Sequence, residues 1–246
     1  CNYYFYEVGH RTGIDVIAEY ARKYGLGSKT GIELAGESTG IIASAEYCKQ
    51  VEDRQWQLGD TLSAVIGQSY NSFTPIQMAR YIGMLANGGI PQELTLIKSI
   101  TDSNGNEVSK TEIEQVVNQK LKINNSTTLE KVNLKEENLQ AILKGMKGVT
   151  SEPGGTAYYI FSDLEMDIAG KTGSAETGIN DKVNGWFTGF APYENPEIAI
   201  VVIIENAGSG GNTAIVAKEI IEEYFGENSE GVTEDIIAIP STEGIR

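Results

Sequence analysis

Lys171-Thr172-Gly173-Ser174 is the stretch of this sequence best equipped for chemistry. A lysine ammonium beside a threonine hydroxyl is suited to holding a carboxylate through a charge-assisted hydrogen bond. Gly173 has no side chain and leaves backbone bare, so an extended, peptide-like anion can lie against it while ammonium and hydroxyl point into one cleft. Residues 167–192 supply the element that positions this group. Small and polar residues alternate around Lys171, Gly178-Ile179-Asn180-Asp181 is turn material, and Trp186 to Phe190 is aromatic and β-prone. The pattern predicts a β-hairpin with Lys171 on its first strand. Trp186 and Phe187, on the second strand, are expected to pack across it rather than touch a ligand.

The same triplet occurs earlier, as Lys29-Thr30-Gly31 in GLGSKTGIELAGE. Its flanks are glycine-rich and charged without an alternating apolar run, which predicts a loop there and leaves Lys171 as the catalytic candidate.

The chain has 246 residues, 40% of them hydrophobic, enough to build a core. Acidic residues outnumber basic ones 34 to 19, and the formal charge of −15 argues against nucleic acid as a partner. No apolar run reaches the length that crosses a membrane; the longest candidate is 198–204. A first residue that is Cys, without a signal peptide, points to a chain that starts inside a longer protein.

Helical spacing of Ile14, Ile17, Tyr20, Ala21 and Tyr24 predicts a second helix after an aromatic first one, with a break near Gly13. Residues 28–60 read as a long loop with short strands. Thr74-Pro75-Ile76-Gln77 forms a capping box with proline in the first turn, opening a helix that buries Met78, Ile82 and Leu85 and stops at Asn87. Residues 93–132 are expected as a peripheral β segment with a turn at 103–106. Asn133 with Glu136 predicts a cap for a helix carrying Leu139, Ile142, Leu143 and Met146 on one face. A buried strand at 197–206, a glycine-rich turn at 208–211 and a helix from about Thr213 to Phe225 complete the domain, and 226–246 is a polar tail. Helices beside antiparallel strands make this an α+β fold.

Taken together, Cys1-Asn2 before an aromatic helix, YGLG before KTGIEL, GDTLSAVIGQS before TPIQMA, Gly155-Thr156-Ala157, IAGKTGSAE and GWFTGFAP resemble the C-terminal part of the transpeptidase domain of class B penicillin-binding proteins. The resemblance covers most of residues 1–225 and fades between about 93 and 132. It implies a fold like that of penicillin-binding proteins and serine β-lactamases, incomplete at its N-terminus. It also implies a peptidoglycan D,D-transpeptidase that works through an acyl-serine intermediate and is the target of β-lactams. The family's serine stands in S-x-x-K; no serine of this sequence has a lysine three residues on, so the nucleophile is expected upstream of residue 1. By the same resemblance Asn2 ends the S-x-N triplet and hydrogen-bonds the substrate amide, with a helix N-cap as its competing role. Lys171 and Thr172 bind the substrate carboxylate, Gly173 leaves the strand bare, and the Ser174 backbone N–H is an oxyanion donor. Gln68 belongs to a family motif and reads only as part of a turn. The implied partners are stem peptides, β-lactams and other cell-wall synthesis proteins. The implied location is the outer face of the bacterial cytoplasmic membrane, through an anchor outside this chain.

Two other readings share the triplets: a serine β-lactamase, which needs a more compact chain between Asn2 and Lys171, and a non-catalytic β-lactam sensor. No cofactor is required by the reaction. Cys1, His10 and Cys48 nevertheless offer the ligand types of a tetrahedral zinc site, and some relatives in the family are similar in placing zinc near the active site. Nine residues of helix separate Cys1 from His10 by about 14 Å on opposite faces, so convergence requires a break near Gly9. The competing role for His10 is a packed or surface histidine.

Overall fold

The computed structural model describes residues 1–109, 111–113, 115, 128–178 and 182–226. Helices α1 (Asn2–Thr12) and α2 (Ile14–Lys23) are separated at Gly13, whose φ of 80° no L-side chain adopts easily. After them come α3 (Ala45–Glu52), α4 (Leu58–Val65) and α5 (Pro75–Ala86). The α5 start has the predicted capping box: the Thr74 hydroxyl accepts from the Gln77 N–H, and the Gln77 side chain accepts from the Thr74 N–H. Then follow α6 (Glu136–Ser151), the single turn α7 (Tyr158–Phe161), strands β1 (Ala169–Glu176), β2 (Val183–Ala191) and β3 (Ile198–Ile204), and α8 (Gly210–Phe225).

The three strands form one antiparallel sheet in the order β1-β2-β3. Alternation along β2 sends its two phenylalanines to opposite faces. Phe190 packs with Ile82, Leu85, Leu139 and Leu143 beneath α5 and α6, whereas Phe187 packs with Phe161, Ile200, Ala214 and Ile221 beneath α7 and α8. Both phenylalanines are fully buried. Leu139 and Leu143 of α6 join the first cluster and Val149 joins the second, so α6 crosses the sheet on the β1 side. Thr150, near its end, sets its buried hydroxyl against the Ile168 carbonyl, which holds the entrance to β1.

Several expectations need correction. Residues 28–60 contain α3, capped by the Ser44 side chain, which accepts from the Tyr47 N–H, and the start of α4. Met78 is only half-buried, and α5 buries Gln77 and Arg80 instead. In 93–132 the β structure among the described residues is a single bridge, Thr101 with Glu107. Asn133 is not a cap, since α6 begins after Lys135. α8 starts at Gly210, three residues ahead of Thr213. The turn at 179–181 and the tail from 227 lie outside the described residues.

Candidate active site

The register pairs Lys171 with Thr188 and Thr172 with Phe187. Adjacent strand residues take opposite faces, so the ammonium and hydroxyl do not share a cleft in the way their adjacency implies. What they share is the open edge of the sheet. Thr177 donates its N–H to the Lys182 carbonyl. Alternation from that pair turns the N–H and C=O of Lys171 and Gly173 toward β2, and those of Thr172 and Ser174 outward. β1 is the terminal strand, and among the described residues no strand pairs with that edge.

Each member of the group has a distinct environment. Lys171 is exposed, and its Nζ donates to the outward carbonyl of Thr172. Protein crowding around the ammonium holds its pKa below the ordinary lysine value, because burial disfavours the charged form. No carboxylate pairs with it among the described residues. Thr172 is buried, with its Oγ1 2.7 Å from that of Thr156. The Ser174 side chain is engaged as well: its Oγ accepts from the Gly210 N–H at 3.1 Å, capping α8 from outside, since Ser209 at the cap position makes no side-chain cap bond. Trp186 stands across from Gly173 and is half-buried, so only Phe187 of the aromatic pair is full core.

Gly210 brings α8 this close. A Cβ there would lie 2.4 Å from the Gly173 carbonyl oxygen, 2.7 Å from the Gly173 nitrogen and 2.9 Å from the Trp186 oxygen. The start of α8 therefore rests directly on the backbone of the candidate strand. The 152–157 turn is fitted in the same way, because a Cβ on Gly155 would meet the carbonyl oxygens of Gly148 and Val149 at 2.4 Å. The Ala157 N–H donates to Val149 and fixes Thr156 beside Thr172.

The remaining predicted residues are placed elsewhere. Asn2 is exposed in the first turn of α1, a helix that packs against α2 and α4; the cap position is held by Cys1, with no side-chain cap bond. The proposed zinc ligands do not converge. Cys1 and His10 are exposed on α1, while Cys48 is fully buried on α3, with the Arg54 carbonyl and the Tyr70 hydroxyl at its sulfur. No three His, Cys, Asp or Glu side chains among the described residues gather to hold a metal ion. α1 continues through Gly9 without a break, because Gly9 is buried against Val65 of α4.

Lys29-Thr30-Gly31 is a loop, as its flanks predict. Glu37 closes it: the Thr30 N–H and hydroxyl donate to Oε1 at 2.7 and 2.6 Å, and the Gly31 N–H donates to Oε2 at 3.1 Å. Gln77, fully buried, donates to the carbonyls of Ser28 and Thr39 and ties this loop to α5. In the Gln68 turn the organiser is Asn71, which accepts from the Ala43 N–H and donates to the carbonyls of Ala64 and Gln68. Sequence reasoning passed over Thr156 and Gly210 as site-forming residues, and Asn71 as the organiser of the Gln68 turn. Only Thr156 was signalled, by its place in a Gly-Thr-Ala triplet.

Comparison with known proteins agrees with this architecture. The model of the penicillin-binding protein transpeptidase domain matches residues 1–222. A peptidoglycan D,D-transpeptidase MrdA from Haemophilus influenzae is 31% identical over 239 residues, spanning 91% of this chain and 35% of the relative. The crystal structure of Pseudomonas aeruginosa PBP2 in complex with WCK 5153 superposes with a TM-score of 0.77 at 28% identity, over 97% of this chain and 50% of that one. PBP2 from Helicobacter pylori, in a complex with MreC, gives a TM-score of 0.72 at 26% identity, over 92% of this chain and 39% of that one. The chain thus spans about a third of the curated relative. With the family model covering nearly all of its described fold, the chain belongs to the penicillin-binding protein transpeptidase domain family.

Proposed function

We propose that residues 1–226 form the substrate-holding wall of a peptidoglycan D,D-transpeptidase. The observation that carries this is the Lys171 ammonium, without a carboxylate partner among the described residues, on the β1 edge that no described strand pairs with, beside the outward N–H of Ser174. An extended peptide ending in a carboxylate can pair with the edge backbone and place its terminal charge at Lys171 and Thr172. In the reaction, a serine oxygen attacks the carbonyl of the penultimate D-Ala while a lysine accepts its proton. The Ser174 N–H stabilises the negative oxygen, the peptide bond to the terminal D-Ala breaks, and that D-Ala leaves with the proton. The amine of a second stem peptide then attacks the ester and releases the serine. This chain contains no S-x-x-K, so the full-length parent supplies serine and lysine from outside residues 1–246. Asn2 is the residue here that would touch the substrate amide once that part is in place. No helix among the described residues is long and apolar enough to cross a membrane. In our reading, the parent is anchored at the outer face of the cytoplasmic membrane and joins other wall-synthesis proteins, as the H. pylori relative does with MreC.

The test is labelling of the full-length parent by a fluorescent penicillin. Lys171→Ala is expected to slow labelling roughly 10- to 100-fold, the loss of a charge-assisted hydrogen bond worth about 1.5–3 kcal/mol. Lys29→Ala, in the loop closed by Glu37, is expected to label at the unaltered rate. Equal losses from the two substitutions would refute the placing of the site on β1.

A further inference from the structure

We infer that Thr156 is a positioning residue for the ligand carboxylate: its hydroxyl donates to Thr172 Oγ1 and so leaves the Thr172 proton to be given outward. The inference rests on the function proposed above and deepens it.

The Thr172 hydroxyl is buried, and its one described partner is the Thr156 hydroxyl at 2.7 Å. Each hydroxyl has one proton and two lone pairs, so the pair has two arrangements. If Thr172 donates to Thr156, it has no proton left for an anion. If Thr156 donates, Thr172 becomes an oriented donor whose hydroxyl is polarised by the bond it accepts, the arrangement an incoming carboxylate selects. Rotation of Thr156 costs little, because it is exposed and can accept from water in either state.

The surroundings fix where the two oxygens meet. Thr156 leaves a turn held by the Ala157 N–H on Val149 and the close approach of Gly155 to Gly148 and Val149. Thr172 is held in the ladder opposite Phe187, which is fully buried. Each backbone is thus held by contacts other than the hydroxyl pair.

The experiment is a double-mutant cycle on the full-length parent, read as the rate of labelling by a fluorescent penicillin, which bears a carboxylate. Thr156→Val, of nearly equal shape, is expected to slow labelling roughly three- to tenfold, the loss of one neutral hydrogen bond. Thr156→Ser is expected to restore the rate to within about twofold. In a Thr172→Ala background Thr156→Val is expected to have no further effect, because Thr156 then has no hydroxyl to orient. Full labelling of Thr156→Val, an undiminished effect in the Thr172→Ala background, or failure of Thr156→Ser to rescue would each overturn the inference. Labelling of the unaltered parent that these variants leave unchanged removes only this inference. A parent that penicillin does not label at all removes the proposed function with it.

Discussion

Replacing Gly210 by alanine should damage the site from a position that does not touch ligand. The added methyl would sit 2.4 and 2.7 Å from the Gly173 carbonyl oxygen and nitrogen, where ordinary contact begins at 3.4 Å. All three of its near neighbours are backbone atoms of paired strands, so no side chain can rotate away. α8 must lift by about 1 Å, and the strain typical of an overpacked interior is about 1–3 kcal/mol. The lift also stretches the 3.1 Å bond from the Gly210 N–H to Ser174 Oγ, worth about 0.5–1.5 kcal/mol. Together these predict a loss of about 2–4 kcal/mol. For a domain of this size that is roughly 4–16 °C in melting temperature. In the proposed function, displacing Gly173 and Ser174 moves the N–H assigned to the oxyanion, and an error of ~1 Å in such a group lowers rates about 100-fold. The control is its neighbour. A Cβ on Gly211 would meet only the Ser209 side chain at 3.6 Å, so Gly211→Ala is expected to leave labelling intact and to raise stability by about 0.5–1 kcal/mol through helix propensity. Both variants would be followed in the full-length parent by thermal melting and penicillin labelling. If Gly210→Ala melts and labels like Gly211→Ala, the seating of α8 on β1 is wrong.

Two further perturbations test the frame around the site. Gln77→Ala should destabilise the parent by about 3–5 kcal/mol in a melt, since it leaves the carbonyls of Ser28 and Thr39 and the Thr74 N–H unpaired in a buried setting; a loss below about 1 kcal/mol would show that water replaces the amide. Tyr24 is buried with no partner for its hydroxyl among the described residues, and desolvation, with lesser contributions from Tyr81 and Tyr20, pushes its pKa up to about 12. A raised pKa means that this contribution to stability is whole below the unfolded value near 10 and is lost as pH rises from there toward 12. Tyr24→Phe should therefore be more stable than the parent by about 1 kcal/mol at neutral pH, with a gap that widens by as much as ~2 kcal/mol between pH 10 and 12. Denaturant titrations showing a gap independent of pH would contradict the burial of that hydroxyl.

The parts of the fold legible in sequence were those set by neighbours a few residues apart. Thr74, Pro75 and Gln77 announce the start of α5 because each partner in the box is local. The hairpin is legible for the same reason, since alternation and turn residues lie within one continuous stretch. α3 was missed although Ser44 caps it, because glycine and charge in the preceding loop masked an eight-residue helix. The face on which each site residue stands was legible only in part. Lys171 and Thr172 are adjacent in sequence and opposed in the strand, and the partner of Thr172 comes from a turn sixteen positions earlier. Contacts such as Gly210 on Gly173 depend on how a helix lands on a sheet, and no local pattern records that.

The two Lys-Thr-Gly copies show what tertiary placement adds to a triplet. In the loop, Gly31 adopts a φ of 88°, and successive N–H groups of Thr30 and Gly31 turn to the same side. Such a concave arrangement binds an anion, and here the chain supplies one, the Glu37 carboxylate, with the Thr30 hydroxyl completing its shell. That copy holds a carboxylate already and has no capacity for another. In β1 the backbone is extended, so neighbouring N–H groups point to opposite sides and no glutamate of the same strand can close on them. The outward N–H groups of Thr172 and Ser174 stand two residues apart along the edge, with the Lys171 ammonium beside them and no acid in reach among the described residues. In the loop the donors of the triplet are taken up by the chain's own Glu37 and serve folding. On the edge, in the function proposed above, they are left for a ligand that is itself extended and carries its own negative end.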